Sequence, residues 1–339
     1  MRRTALKMAR RIGFAWLLLV LAPRAFAANP CDSGLAVDDL DPLQGAAAFE
    51  LCDVSTQGSP GVVSATYGAS DFAVDFTQLS NSAIGVGLLA DFGPNVTPLR
   101  GARMLALSSG TARTPSQPGY ASPEGFNKGY SSGFPAGLPI ESPACPAVTT
   151  AAPHDAAALR LVLQVPATAN SFSFGFKFYT ADFPNFLCSP FNDLFFAVLD
   201  PAPATGPNLV FDPSGNALTV NSATAISVCD PQAAPNGYVC GDGSADLQGT
   251  GFDSPTIHGA TSWLHTIVPV TPSSSVTLTF GILDAGDSAL DSTVLLDDFR
   301  WSARVVASPV TSAPEPSTTA VAAAAIAALA ARRRVAQMR

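Results

Sequence analysis

What this 339-residue chain lacks narrows its chemistry first. It holds only three histidines, His154, His258 and His265, and no H-E-x-x-H pair. That removes a common hydrolytic zinc motif. No P-loop or dinucleotide fingerprint occurs either. No two cysteines stand in C-x-x-C spacing, so a thiolate zinc site is not indicated. A histidine beside a turn is more often hydrogen-bonded than catalytic, and no catalytic set is read here. No internal repeat stands out.

Cations are scarce as well. Of 18 Lys and Arg, six lie within the first 24 residues and four within 332–339, which leaves eight for the body. Of 26 Asp and Glu only Glu315 lies in the tail, so the body keeps 25 and carries a charge of about −17. Such a field repels nucleic acid and anionic lipid and attracts cations. Nucleic acid is therefore not expected as a partner.

What is present reads as β-structure. In 159–165, Leu159, Leu161, Leu163 and Val165 share one face. Phe172, Phe174, Phe176 and Phe178 do so in 171–179, and Val276, Leu278, Phe280 and Ile282 in 276–282. This period of two marks strands buried on one side. The unbroken apolar run 193–199 reads as a central strand. Residues 61–67 and 102–108 are further candidates. With 29 Pro and 27 Gly as punctuation, the expectation is an all-β fold, an antiparallel sandwich or jelly roll. One short N-terminal helix is expected in 41–52, with Asp41 as cap and Pro42 in its first turn. Two long loops remain, 108–146 and about 229–262. The first carries Tyr120, Phe126, Tyr130 and Phe134, and reads either as a tethered surface loop or as a ligand-contacting one.

Six cysteines, Cys31, Cys52, Cys145, Cys188, Cys229 and Cys240, form an even set. In an oxidising compartment they are expected to pair. Many connectivities are possible on paper. Proximity favours 31–52, 145–188 and 229–240, and buried free thiols are the alternative. The acidic stretch 284–298 is the best site candidate. Asp284, Asp287, Asp291 and Asp297 bunch near one turn, and Ca²⁺ takes six to eight oxygens of this kind. The spacing is not that of an EF-hand. The competing reading is turn carboxylates that cap the loop. Asn192 and Asp193 form a second, weaker oxygen pair.

The two ends differ from the body. Basic residues, an apolar run over 12–22 and small residues at Ala25 and Ala27 have the order of a secretory signal peptide, expected to be removed after 27 or 28. After a single expected domain over 28–306 comes a linker, 307–318, with Pro314, Glu315 and Pro316. An apolar stretch, 319–331, and a basic tail, 332–339, with Arg332, Arg333 and Arg334 follow. The stretch falls short of the ~20 residues of a full span, which suits transient membrane contact better than a durable anchor.

Three segments carry a resemblance: 122–130 (SPEGFNKGY); Asp182, Phe183, Pro184, Asn185, Phe186, Ser189, Phe191, Asn192 and Asp193; and Asp291, Ser292, Leu296, Asp297, Asp298 and Phe299. Together they resemble the choice-of-anchor L domain of bacterial surface proteins. The tail is similar to a PEP-CTERM sorting signal. The resemblance implies a β-rich exported module at the cell envelope, surface or biofilm matrix, without a catalytic residue set. It implies processing by signal peptidase and an exosortase-like enzyme. The function expected is noncatalytic, adhesive or glycan-binding, with extracellular polysaccharide as partner. The alternative is a secreted polysaccharide hydrolase with paired carboxylates.

Overall fold

The alternating runs become long antiparallel strands. The structure is a computed structural model and describes residues 31–312 apart from 139, 213, 233 and 235–237. The expected signal peptide, the Pro314–Glu315–Pro316 motif, the apolar stretch 319–331 and Arg332–Arg334 lie outside the described residues. Among the described residues no helix is long and apolar enough to cross a membrane.

A short helix, α1 (Pro42–Ala47), precedes the strands. Asp41 caps it, accepting from Leu43 N, and Pro42 occupies its first turn, where its missing N–H costs nothing. The strands are β1 (Gly61–Gly68), β2 (Val86–Leu89), β3 (Met104–Ser108), β4 (Pro153–Gln164), β5 (Ser171–Thr180), β6 (Leu194–Asp200), β7 (Ile226–Val228), β8 (Gly259–Thr261), β9 (Leu264–Pro269), β10 (Ser275–Ala285), β11 (Ser292–Ser302) and β12 (Val310–Ser312).

They form two sheets. One has the order β1-β4-β10-β6; the other runs β12-β9-β5-β11-β3-β2, with β8 pairing β5 and β7. All of these strand pairs are antiparallel. The β5 phenylalanines meet the β4, β6 and β10 side chains in one core. Phe174 stands edge-on to Phe280 at 4.9 Å, and Phe176 lies 5.2 Å from Phe195. Each buried phenylalanine contributes about 1.5–3 kcal/mol, and the aromatic pairs somewhat more. The fold is thus an all-β antiparallel sandwich.

Two placements depart from expectation. β6 is the edge of its sheet, not a central strand. Its continuous apolar run has another cause. One face meets the phenylalanine core and the other a second apolar cluster around Leu194, Phe196 and Leu283. Its free edge is covered by irregular chain: Leu199 N donates to Pro207 O, Leu209 N to Ala197 O and Val220 N to Asp193 O. The other departure is β12, which pairs with β9 and so carries the sheet past the boundary expected at 306.

Disulfides join Cys31 to Cys52, Cys145 to Cys188 and Cys229 to Cys240. Each closes a loop between chain neighbours. The 145–188 bond ties the end of the long loop to the segment between β5 and β6.

Candidate functional site

The inward stripes of four strands end in oxygen rather than carbon. On β5 the series Phe174, Phe176, Phe178 continues through Thr180 to Asp182. On β6, Leu199, Ala197 and Phe195 continue back to Asp193. On β10, Phe280 and Ile282 lead to Asp284, and on β11, Leu296 and Val294 lead back to Ser292. Period-2 geometry keeps each series on one face. All four polar residues are buried, and so is Asp291, the residue before β11. Two of the strands belong to each sheet, so a polar layer closes one end of the sandwich.

Pairing fixes how these groups meet. The β10–β6 register runs in step to Leu283 opposite Leu194, and continuing it by one step would set Asp284 against Asp193. Side chains directly opposite stand about 4.5–5.5 Å apart at Cβ, and like charges there repel. Asp193 Oδ1 accepts from Ala285 N at 2.9 Å. Ala181 N donates to Asp291 O at 3.1 Å, and Asp291 N to Pro123 O at 2.6 Å. A Cβ at Gly110 would collide with Asp291 Oδ2, so only glycine admits this carboxylate.

The remaining oxygens are left over. Asp182 Oδ2, Asp193 Oδ2, Asp284 Oδ2, both oxygens of Asp291 and Ser292 Oγ are buried without a hydrogen-bond partner. Desolvation drives the acids up and neighbouring carboxylates add to it, while the Ser292 hydroxyl and Ala285 N oppose the rise at Asp193 and Lys128 opposes it at Asp291. Asp193 is pushed to about 7 and Asp284 to about 12, while Asp182 and Asp291 rise well above the usual carboxylate range. Lys128, fully buried, is the cation nearby. Burial lowers it to about 8 against the pull of Asp155, Asp291 and Asp284. Its Nζ donates to Ser108 O at 2.8 Å, and its backbone N to Asp155 Oδ2. Among the described residues no three His, Cys, Asp or Glu side chains already stand as a metal-ligand set.

The four aspartates expected at one turn separate. Asp284 and Asp291 enter the chamber. Asp287 is exposed in the turn between β10 and β11, where Oδ1 accepts from Ala289 N. Asp297 is elsewhere on β11. Its Oδ2 accepts from Leu99 N and Arg100 N, and its Oδ1 from Asp298 N. Five strand steps beyond Ser292, at about 3.3 Å each, carry it away from the turn. Asn192 is a clamp: Nδ2 donates to Ile140 O and Thr150 Oγ1, and Oδ1 accepts from Asn221 N.

Asp182, Ser292 and Lys128 were not expected in a site. The signal for Asp182 was present, since it extends the phenylalanine stripe by two alternations. The histidines do not converge. His154 Nδ1 is 3.1 Å from Ser131 Oγ, His258 bridges Phe183 O and Glu124, and His265 lies on β9 beside Gly175.

A second feature is open. On the outer face of the four-stranded sheet, register aligns Arg160, Thr279 and Val198 in one row, and Val162, Thr277 and Asp200 in the next. These rows floor a groove of about 770 Å³, with Ser70, Asp71, Phe134 and Pro135 also lining it. The Arg160 guanidinium lies 3.7 Å over the Phe72 ring. Of the long-loop aromatics, Phe134 lines this groove, while Tyr130 packs on the apolar cluster beneath and donates to Ala156 O.

The chamber gathers the three segments that carried the resemblance. Pro123 and Lys128 come from the first, Asp182 and Asp193 from the second, Asp291 and Ser292 from the third. The family model of the choice-of-anchor L domain matches residues 104–299, from the start of β3 to near the end of β11. No curated protein and no solved structure matches the chain. With more than half of its length matched, the chain belongs to the choice-of-anchor L domain family.

Proposed function

We propose that this exported surface protein is a noncatalytic, glycan-binding component of the cell surface or extracellular matrix, and that its outer groove is the binding face. Family membership and three disulfides support export to the surface. The observation that carries the glycan reading is the groove. Its floor offers hydroxyls at Thr277 and Thr279, a cation at Arg160 and a carboxylate at Asp200. Phe134 adds an aromatic wall of the kind on which sugar rings stack. The body's charge of about −17 disfavours a polyanion, so a neutral polysaccharide is the expected ligand.

The mature protein is tested on an array of neutral and acidic glycans. Binding to a neutral polymer that Thr277→Trp and Arg160→Ala each weaken at least tenfold, at unchanged melting temperature, supports the reading. No binding, or binding indifferent to both variants, overturns it. Release of reducing ends from the bound polymer would favour the hydrolase instead.

The tail delivers the protein in this reading. Pro314–Glu315–Pro316 is read by an exosortase-like enzyme, and mature protein lacks Arg332–Arg339. Intact mass of envelope material decides; a retained C-terminus defeats the processing step.

A further inference from the structure

We propose that the chamber at the end of the sandwich holds a divalent cation of the Ca²⁺ class, bound by Asp182, Asp193, Asp284 and Asp291 with the Ser292 hydroxyl. The proposal stands apart from the glycan reading, since the chamber lies at the strand ends and the groove on the outer sheet face.

Three observations converge. The first is chemical. Every candidate donor is oxygen, from carboxylates and a hydroxyl, with no thiolate or imidazole among them. Oxygen-only sets suit hard cations. The six unpartnered atoms match the lower end of calcium's preferred six to eight. The second is burial. A buried polar atom with no partner costs about 1–3 kcal/mol, and natural folds rarely leave several such atoms together. Asp284 Oδ2 matters most here, because it is buried at 1% exposure and no hydrogen bond reaches it, whereas the Ser292 hydroxyl is within reach of Asp193. The third is charge. Lys128 acts on Asp155, Asp284 and Asp291, while the charges acting on Asp182 and Asp193 are those of other carboxylates, and a dication would offset them. Magnesium keeps its water and needs a compact octahedron, which a sealed layer between two sheets does not provide. The side chains do not stand as a ligand set now; Asp182 and Asp193 stand within hydrogen-bonding reach of one another instead. An ion draws them inward.

The mature chain is stripped with chelator, dialysed into metal-free buffer and titrated with CaCl₂ or MgCl₂ by calorimetry and thermal melting. One calcium per chain is expected, with a clear rise in melting temperature. At a hundredfold excess over Kd the folded-to-unfolded ratio rises about a hundredfold. Magnesium gives a small fraction of that shift. Asp284→Asn removes the calcium response, yet its metal-free form melts close to the metal-free native protein, because the amide is nearly isosteric with the carboxyl group it replaces. That comparison separates lost binding from lost folding. Ser292→Ala, uncharged and near-isosteric, lowers calcium affinity with little change in the metal-free melt. Equal melting with chelator and with millimolar Ca²⁺ overturns the proposal. So does an equal response to Mg²⁺, or a full calcium response in Asp284→Asn.

Discussion

Asp291 and Asp297 bracket the first half of one strand, and both are buried, yet their surroundings are opposite. Around Asp297 the carboxylates meet backbone N–H groups. Asp297 holds Leu99, Arg100 and Asp298, Asp32 Oδ2 holds Ala102 and Arg103, and Glu50 Oε2 shares the Asp298 N–H. These acids stitch the 99–103 turn to β11 ahead of β3, and only one oxygen each of Asp32 and Glu50 lacks a partner. In the chamber, Asp291 has neither oxygen satisfied. A carboxylate that organises backbone is structural. One that faces other carboxylates across two sheets needs a proton or a cation.

The largest effect should come from removing the chamber's counter-charge. Lys128→Met leaves Asp155, Asp284 and Asp291 without their buried cation. The substitution also strips Ser108 O of its donor, and losing a buried charged donor costs about 3 kcal/mol. Urea denaturation in chelator should show that loss, and millimolar Ca²⁺ should restore part of it. A loss under 1 kcal/mol would mean that the lysine is not the chamber's counter-ion.

Asp297→Ala comes next. It strips acceptors from three backbone N–H groups and should cost about 1–3 kcal/mol. The distinguishing feature is indifference to calcium: the variant's melting shift on adding Ca²⁺ should equal that of the native protein. A lost shift would merge the two regions into one site and break the comparison.

The sequence displayed one of these regions better than the other. Strand positions were legible because burial on one side writes a period of two, as Phe172–Phe178 and Val276–Ile282 do. The helix start was legible in Asp41–Pro42. The β6 edge was not, since a run buried by loops looks like a run buried by strands. The chamber was half legible. Asp284 and Asp291 are near in sequence, but Asp182 and Asp193 arrive from strands some hundred residues earlier, and only pairing of β10 with β6 and of β11 with β5 brings them in. Asp297 was misplaced for the same reason. Proximity in sequence means little along an extended strand, where each residue advances about 3.3 Å.

The structural cluster should also be the pH-sensitive one in calcium-saturated protein. Burial, with Asp297 beside it, raises Glu50 from 4.5 to about 8; Arg100 opposes and Asp298 adds to the rise. Burial lifts Asp297 to about 7 against its backbone donors. Both acids bind protons more tightly folded than unfolded. Their contribution is therefore present at acid pH and is lost as pH rises from about 4.5 through about 8. Glu50 is only half-buried, so the loss is discounted to on the order of 1 kcal/mol. Glu50→Gln keeps a donor toward Asp297 and removes the titration. Its melting temperature should change less between pH 5 and 8 than that of the native protein. Parallel profiles would place the titrating groups elsewhere.

The smallest effect belongs to Asp287, and it tests where the ion sits. This carboxylate is exposed in the β10–β11 turn, yet it raises Asp182, Asp193 and Asp284 by its charge. Asn at this position keeps an acceptor for Ala289 N and suits the same turn. Stability should therefore move by less than about 0.5 kcal/mol. Calcium affinity should fall only through a charge acting from outside the chamber. At roughly 10 Å in water one unit charge is worth about 0.4 kcal/mol per unit of opposing charge, so a dication loses about fourfold at most. Salt screens that interaction, since the Debye length is about 8 Å at physiological strength. The difference between Asp287→Asn and native protein should shrink as salt is raised, whereas the Asp284→Asn defect should persist. A total, salt-independent loss in Asp287→Asn would put the ion in the turn and leave the buried aspartates as protonated acids.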